Sequence, residues 1–138
     1  MALLSPRMKE IFSNQKTFVL GTSDRGGNPN TVPVAAVKIL DDETLLVSDQ
    51  FFVKTLSNLR ENPKAALSFW DKDSGEGYQV KGAAAIHTAG KIFEETAEWV
   101  HALSLKAGHP FQSKGAVVIR IGEIYSVTPG PDAGKKIG

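Results

Sequence analysis

The chain has 138 residues and no cysteine, which excludes disulfides, thiolate metal sites and cysteine nucleophiles. Its 16 basic and 15 acidic residues give a net charge of +1 with no basic stripe, so the composition does not support nucleic-acid binding. No apolar run is long enough to span a bilayer and no signal-peptide core is present, so we expect one domain, residues 1–138, of a cytoplasmic protein that contacts neither membrane nor nucleic acid.

The first half of the chain predicts one helix and three strands. Ser5-Pro6 is typical of an N-cap and a first helical residue, and Asn14 ends the helix, so residues 1–14 form an N-terminal helical segment. Turns rich in glycine or acidic residues interrupt the segment that follows. Between these turns, β-branched and aromatic residues predict strands at 17–22, 30–40 and 44–49.

The second half predicts two helices and three more strands. A short helix begins at Lys54 and ends before Pro63, because proline disfavours helical geometry in the residue that precedes it. A longer helix at 91–107 ends at Gly108. The remaining pattern predicts strands at 65–70, 78–87 and 116–128, the last of them kinked at Gly122, and a loosely ordered tail at 129–138.

Two side-chain patterns predict which faces are buried. Strand 78–87 has a period of two, which places alternate residues on one face: Tyr78, Val80, Ala84 and Ile86. Helix 91–107 has an apolar stripe: Phe93, Ala97, Val100, Leu103 and Ala107. Six strands joined mostly by turns, with helices as connectors, predict a mainly β fold with helices (an α+β β-barrel) whose sheet is small and antiparallel.

The segment K-T-L-x-N-L-x-x-N-P, from Lys54 to Pro63, is the most informative motif of the chain. A helix N-terminus carries partial positive charge and unpaired N–H groups. A lysine at that position is electrostatically unfavourable unless an anion lies between its ammonium group and the helix N-terminus. The order of strand end, loop, lysine, hydroxyl and helix therefore predicts a phosphate site, with a solvated lysine at a loop tip as the alternative.

Covalent catalysis and metal binding have no support in the sequence. No G-x-S-x-G elbow is present. The histidines His87, His101 and His109 are not at ligand spacing, so we predict no metal site. No residue is identified as catalytic.

Two further residues suit a ligand site. Pro33 interrupts strand 30–40 and cannot donate a ladder hydrogen bond, so it marks either an edge strand or a place where something other than a strand packs. Gln79 carries an amide that donates and accepts at once, which suits the polar edge of a heterocycle. The alternative for Gln79 is an ordinary exposed strand residue.

The order of these motifs resembles the FMN-binding split-barrel proteins related to pyridoxamine 5'-phosphate oxidase. The resemblance runs from about residue 16 to residue 127. Its parts are a glycine turn with Asn28-Pro29-Asn30, Val32-Pro33-Val34, Val47-Ser48-Asp49, the K-T-x-x-N-L-x-x-N-P segment, and Tyr78-Gln79-Val80-Lys81-Gly82. It implies a six-stranded antiparallel split barrel that forms a homodimer and binds FMN at the subunit interface.

The resemblance also implies which residues hold the cofactor. The phosphate would lie against Lys54 and Thr55, with the strand end Val47, Ser48 and Asp49 nearby. The main chain of Val32, Pro33, Val34 and Ala35 would run along the flavin ring, and Gln79 would meet its polar edge. Phe111 or Lys114, before the last strand, would reach the flavin held by the other subunit.

The expected function is therefore that of an FMN-binding flavoprotein, an oxidoreductase or electron carrier. Residues 129–138 show no arginine-rich segment of the kind that grips the substrate phosphate in pyridoxamine 5'-phosphate oxidases, which speaks against vitamin oxidase activity. That enzyme and a cofactor-free interaction barrel remain as alternatives. Deazaflavin and haem, which related families bind, rank below FMN because no extended phosphate-tail site or convincing axial histidine is visible.

Overall fold

A computed structural model describes residues 3–138 and contains three helices and seven strands in that range. The strands form one sheet in the order β2-β1-β5-β6-β7-β4-β3, and every neighbouring pair is antiparallel. The elements in chain order are α1 (Pro6–Asn14), β1 (Phe18–Ser23), β2 (Pro29–Val34), β3 (Val37–Asp41), β4 (Thr44–Asp49), α2 (Lys54–Glu61), β5 (Lys64–Trp70), β6 (Gly77–His87), α3 (Lys91–Ala107) and β7 (Gly115–Ser126). The predicted mainly β, antiparallel fold with helices is confirmed.

The strand predicted at 30–40 is two strands, so the count is seven rather than six. β2 and β3 lie at opposite ends of the strand order, and the chain crosses between them at Ala35 and Ala36. Val37 N–H donates to Ala35 O at 3.0 Å, and Ser48 N–H donates to Ala36 O at 3.0 Å. The prediction was wrong because a continuous apolar pattern does not show where a strand changes its pairing partner.

Helix α1 packs into the interior as the sequence predicts. Ser5 Oγ accepts the Met8 N–H at 3.2 Å and caps the helix. Ile11 and Phe12 are buried, and the Phe12 ring lies 4.6 Å from Phe18 and 5.5 Å from Phe69. Each such aromatic side chain contributes about 1.5–3 kcal/mol by burial, so this cluster anchors the helix to the sheet.

The kink predicted at Gly122 is a β-bulge. Lys81 pairs with Glu123 and Gly82 pairs with Ile121, so Gly122 is left without a partner on β6. The extra residue shifts the alternation of buried positions along β7 by one residue. Before the bulge the odd-numbered residues Val117, Ile119 and Ile121 are buried, and after it the even-numbered residues Ile124 and Ser126 are buried. The bulge therefore keeps both halves of a long strand facing the same core.

Helix α3 differs from its predicted stripe. Its buried residues are Thr96, Val100 and Ser104, whereas Phe93, Ala97 and Leu103 are half-buried and Ala107 is exposed. These three residues recur at a spacing of four and therefore lie on one face of the helix, which packs against β7. The helix ends at Gly108, with φ 77°, as predicted. Within residues 3–138, no helix has both the length and the apolar character needed to cross a bilayer.

The tail predicted to be loosely ordered pairs with β7 instead. Gly134 N–H donates to Ser126 O at 2.7 Å, and Ser126 N–H donates to Lys135 O at 2.9 Å. Ile124 N–H donates to Gly138 O at 2.8 Å. The glycines that suggested disorder supply the positive φ of the returning turn, 134° at Gly130 and 83° at Gly134.

We predict that Gly82→Ala destabilises the protein by about 3 kcal/mol, because a Cβ at this position would lie 2.0 Å from Arg120 O and force the backbone of the bulge apart. Gly122→Ala is the matched control, since its Cβ would meet only Lys81 O at 3.7 Å. Urea unfolding of both variants measures the difference. Equal stability of the two variants would contradict the close approach of β6 and β7.

Candidate functional site

The N-terminus of α2 has no capping side chain in the described part of the chain. Its N-cap residue is Val53, with φ −123° and ψ −74°, and the first turn has no acidic residue. In contrast, Ser5 caps α1 with its hydroxyl. The N–H groups of the first turn of α2 are therefore available to an external acceptor.

Lys54 is the first residue of this helix and its side chain is exposed. Among residues 3–138, no carboxylate forms an ion pair with it, and Ser57 is the first residue of the helix whose N–H is bonded to a backbone carbonyl, that of Val53, at 3.1 Å. We call the N–H groups of residues 54–56 together with the Lys54 ammonium group the α2 site. A lysine at an uncapped helix N-terminus adds its positive charge to that of the helix end, which favours an anion.

Buried polar contacts hold α2 against β1 and β2. Asn30 Nδ2 donates to Thr55 Oγ1 at 3.0 Å, and Asn58 Nδ2 donates to Thr22 Oγ1 at 3.1 Å. Thr55 is only 1% exposed, and its hydroxyl anchors the helix. No role was predicted for Asn30, Asn58 or Thr22. Only Asn58 carried a local signal, since its amide lies in the Lys54–Pro63 motif, three residues after Thr55.

The end of β4 is buried and leads into the loop before α2. Val47 is fully buried in the core, and Ser48 and Asp49 are 4% and 3% exposed. Asp49 Oδ1 accepts the Phe52 N–H at 2.9 Å, which shapes the loop that leads into α2. In this loop Phe52 is buried in the core, whereas Phe51 is 79% exposed.

The predicted ring-binding strand is an edge strand. β2, which contains Val32, Pro33 and Val34, pairs with β1 alone among the described strands. The other edge of β2 therefore presents main-chain groups to solvent. The missing N–H group of Pro33 costs no strand-to-strand hydrogen bond at that edge. Ala35 follows at the crossing to β3, and the contact between Ala36 O and Ser48 N–H brings this end of β2 next to the end of β4.

Gln79 lies away from these residues within the same chain. It belongs to a cross-strand row on the outer face of the sheet: Pro33, Val19, Ser68, Gln79 and Tyr125. Three strand spacings separate Gln79 from Pro33, about 14 Å. A groove of about 570 Å³ lies on the same outer face, where Gly21, Ala66 and Ala83 leave room along the strands.

The segment before β7 runs between α3 and the end of β4. Phe111 N–H donates to Ser104 Oγ at 3.2 Å, so this half-buried aromatic residue stays at the end of α3. Lys114 N–H donates to Asp49 O at 2.6 Å. Ser48 Oγ donates to Ser113 Oγ at 2.8 Å; Ser113 was missed by the sequence analysis because a lone serine in a loop carries no signal.

The predicted site residues fall into two groups that contacts join. At the end of β4, Lys114 contacts Asp49, and Ser48 receives the crossing that follows residues 32–34 of β2 through Ala36. Lys54 and Thr55 begin α2, which Asn30 of β2 holds through the Thr55 hydroxyl. Val47 contributes its backbone to the sheet rather than a side chain to the site. Gln79 and Phe111 lie elsewhere in the chain, so their contact with a cofactor stays a prediction.

Comparison with known proteins identifies the family. A family model described as pyridoxamine 5'-phosphate oxidase matches residues 4–128. The chain belongs to this family. An uncharacterized protein of Methanocaldococcus jannaschii is 39% identical over 137 residues, which are 97% of this chain and 87% of the relative.

Solved structures show the same split barrel, which confirms the fold that the resemblance implied. HupZ of Group A Streptococcus superposes with a TM-score of 0.80 at 26% identity, covering 96% of this chain and 100% of that protein. An FMN-binding protein of Syntrophomonas wolfei superposes with a TM-score of 0.72 at 23% identity, covering 85% of this chain and 80% of that protein. These matches place the pyridoxamine 5'-phosphate oxidase-like fold over nearly the whole described chain.

We predict that Thr55→Val destabilises the protein by about 1–3 kcal/mol, because the valine leaves Asn30 Nδ2 without its acceptor in a partly buried position. Ser57→Ala on the exposed face of the same helix is the control and should change stability by less than about 0.5 kcal/mol. Chemical unfolding measures both. Equal effects would show that the Asn30–Thr55 contact does not anchor α2.

Proposed function

We propose that this protein is an FMN-binding oxidoreductase or electron carrier that holds the FMN phosphate at the α2 site. One observation carries the proposal: an uncapped helix N-terminus begins with a lysine that has no ion-pair partner in residues 3–138. A terminal phosphate would satisfy the free N–H groups and the ammonium group together. Membership in the pyridoxamine 5'-phosphate oxidase family supports the choice of a flavin nucleotide.

The residues around the α2 site fit the rest of such a ligand. The free edge of β2 offers main-chain donors and acceptors to a planar polar ring. Asn30 of this strand is hydrogen-bonded to Thr55 of α2, the helix that begins with Lys54. Bound FMN would supply the redox chemistry, and the protein would orient it and set its surroundings. No side chain is assigned a proton-transfer role, so the choice between oxidoreductase and electron carrier stays open in the proposal.

We also propose that the protein is a homodimer in the cytoplasm. The outer groove has a floor of small residues from neighbouring strands, including Gly21, Ala66 and Ala83, which allows another surface to approach closely. Gln79 lies on this outer face, three strands from Pro33. If a second copy packed on this face, its Gln79 amide would approach β2 of the first copy. Gln79 could then contact a ligand held at β2, which it cannot reach within one chain.

The proposal predicts that the purified protein binds FMN and that Lys54→Ala weakens binding by about 1.5–3 kcal/mol, about 10- to 150-fold, through loss of a charge-assisted contact. Fluorescence titration with FMN measures the dissociation constant. Riboflavin, which lacks the phosphate, should bind both proteins alike.

Lys91→Ala is a matched control, because Lys91 also begins a helix without a side-chain cap. Its ammonium group lies 3.8 Å from Glu95, and Glu94 occupies the first turn, so its positive charge is already compensated. FMN affinity should therefore not change. Protein that takes up no FMN at micromolar concentration would refute the proposed function, and an unchanged affinity in Lys54→Ala would place the phosphate elsewhere. Turnover of pyridoxine phosphate by FMN-loaded protein would favour the vitamin oxidase alternative.

A further inference from the structure

We propose that the loop before α2 joins two copies of this chain: Phe51 and Val53 of each copy insert into the outer groove of the other. We call these two side chains the apolar knob. The inference rests on the proposed homodimer and deepens it, since it names the segment that each copy inserts and the surface that receives it.

The apolar knob contains the two most exposed large hydrophobic side chains among residues 3–138. Phe51 is 79% exposed and Val53 is 77% exposed, ahead of Leu105 at 70%. Single exposed hydrophobic side chains are ordinary on a protein surface, whereas two on one short loop form a patch of the kind that marks an interaction site. A partner surface that covers the knob would remove this apolar area from water.

The loop holds the knob in place. Phe52, between the two knob residues, is 8% exposed and packs in the core. Its N–H donates to Asp49 Oδ1 at 2.9 Å, and Asp49 is itself buried. Because Phe52 is anchored inside, its two neighbours stay outside. A knob on such an anchored loop loses little conformational freedom when it enters an interface, which favours association.

The outer groove is a matching receptor for the knob. It has a volume of about 570 Å³, and its floor includes Gly21, Ala66 and Ala83, none of which has a side-chain atom beyond Cβ. An aromatic side chain that fills a pocket in the centre of an interface is the typical anchor of a protein–protein contact. The groove therefore has room for Phe51 together with Val53.

Electrostatic repulsion between two copies is small. The chain has a net charge of only +1, so long-range repulsion does not oppose self-association. Among the charged residues that line the groove, Glu123 lies 3.5 Å from the Lys136 ammonium group, and the Lys81 ammonium group lies 5.1 Å from the centre of the Tyr125 ring. These two charges already have partners within their own chain.

The knob and the groove are neighbours on one chain, which is the arrangement that a two-fold dimer needs. Asn30 lines the groove and donates to Thr55 Oγ1 at 3.0 Å, and Thr55 follows Val53 by two residues. A two-fold axis brings the same surface of each copy together, so that each knob meets the groove of the other copy. Both contacts then belong to one closed interface. A second copy is the occupant that supplies both a knob and a groove.

The first experiment measures the dimer by size-exclusion chromatography with light scattering. Phe51→Asp should raise the dissociation constant of the dimer about 30-fold or more, because it removes an aromatic anchor and places a charge in the groove. Leu105→Asp is the matched control, since Leu105 is exposed to a similar degree on α3, and it should leave the dimer intact. Dissociation by Leu105→Asp alone would move the interface to α3 and overturn the proposal.

A second pair of variants tests the receptor. Ala83→Glu places a charged side chain on the floor of the groove and should also dissociate the dimer. Ala102→Glu, at an exposed alanine of α3, is the control and should have no effect. Because all four substituted residues are exposed or border the groove, we expect each variant to keep the melting temperature of its monomer, which circular dichroism measures.

Cross-linking tests whether the knob meets the groove directly. The chain has no cysteine, so single cysteines can be introduced without interference. Phe51→Cys subunits mixed with Ala83→Cys subunits should give covalent dimers of unlike subunits with a short bismaleimide, which a size tag on one subunit identifies. Cross-linking of Phe51→Cys subunits to one another in preference would place the two knobs face to face and overturn the proposal.

The outcomes separate this inference from the proposed function. Wild-type protein that is monomeric at all concentrations would refute the proposed homodimer and this inference together. A dimer that persists in both Phe51→Asp and Ala83→Glu would refute this inference alone and leave the homodimer standing.

Discussion

The attachment of α2 to the sheet is the constraint on which the candidate site depends. The helix has only eight residues, too short to be stable in isolation, and its apolar contact with the core is largely Leu59. Two amide–hydroxyl hydrogen bonds, from Asn30 to Thr55 and from Asn58 to Thr22, complete that contact. They lie on the buried face of the helix, whereas Lys54 stays exposed to solvent.

A second constraint is the register between β7 and its two neighbours. The bulge at Gly122 lets one strand of twelve residues keep a single core face although its buried positions change parity. The half of β7 before the bulge then pairs with β4 down to Asp49 and Gly115. Ser113 and Lys114 reach Ser48 and Asp49 because of this pairing, so the end of β4 is held by the segment that precedes a long strand.

The molecule separates two surfaces with different chemistry. The α2 site is cationic and is formed by one helix N-terminus with its lysine. The outer face of the sheet has a groove over small residues, and its cross-strand row includes Gln79. Asn30 lines the groove and also holds Thr55, so the groove extends to the strand that anchors α2. A cofactor with a charged end and a planar ring, bound where two copies meet, would use both, which links the proposed FMN site to the proposed dimer.

Much of the fold could be predicted from the sequence because its signals are local. The cap at Ser5, the strand periods, the stop at Gly108 and the break at Gly122 each depend on a few consecutive residues. The division of residues 30–40 into two strands was missed, since Ala35 and Ala36 are compatible with a continuing strand and only the closing sheet makes them a crossing. The order of the tail was missed for a similar reason, because pairing with β7 is a long-range contact.

The candidate site also combines features that follow from local sequence with features that depend on long-range contacts. The sequence by itself determined that Lys54 begins a helix directly after a strand, and from that a phosphate site was predicted. Only the tertiary structure decided that the Thr55 hydroxyl faces inward, that Gln79 lies three strands from Pro33, and that Ser113 and Lys114 join Ser48 and Asp49. Local propensity acts between neighbours in the chain, whereas these contacts join residues up to 65 positions apart, as in the bond from Ser48 to Ser113, and depend on how the sheet closes.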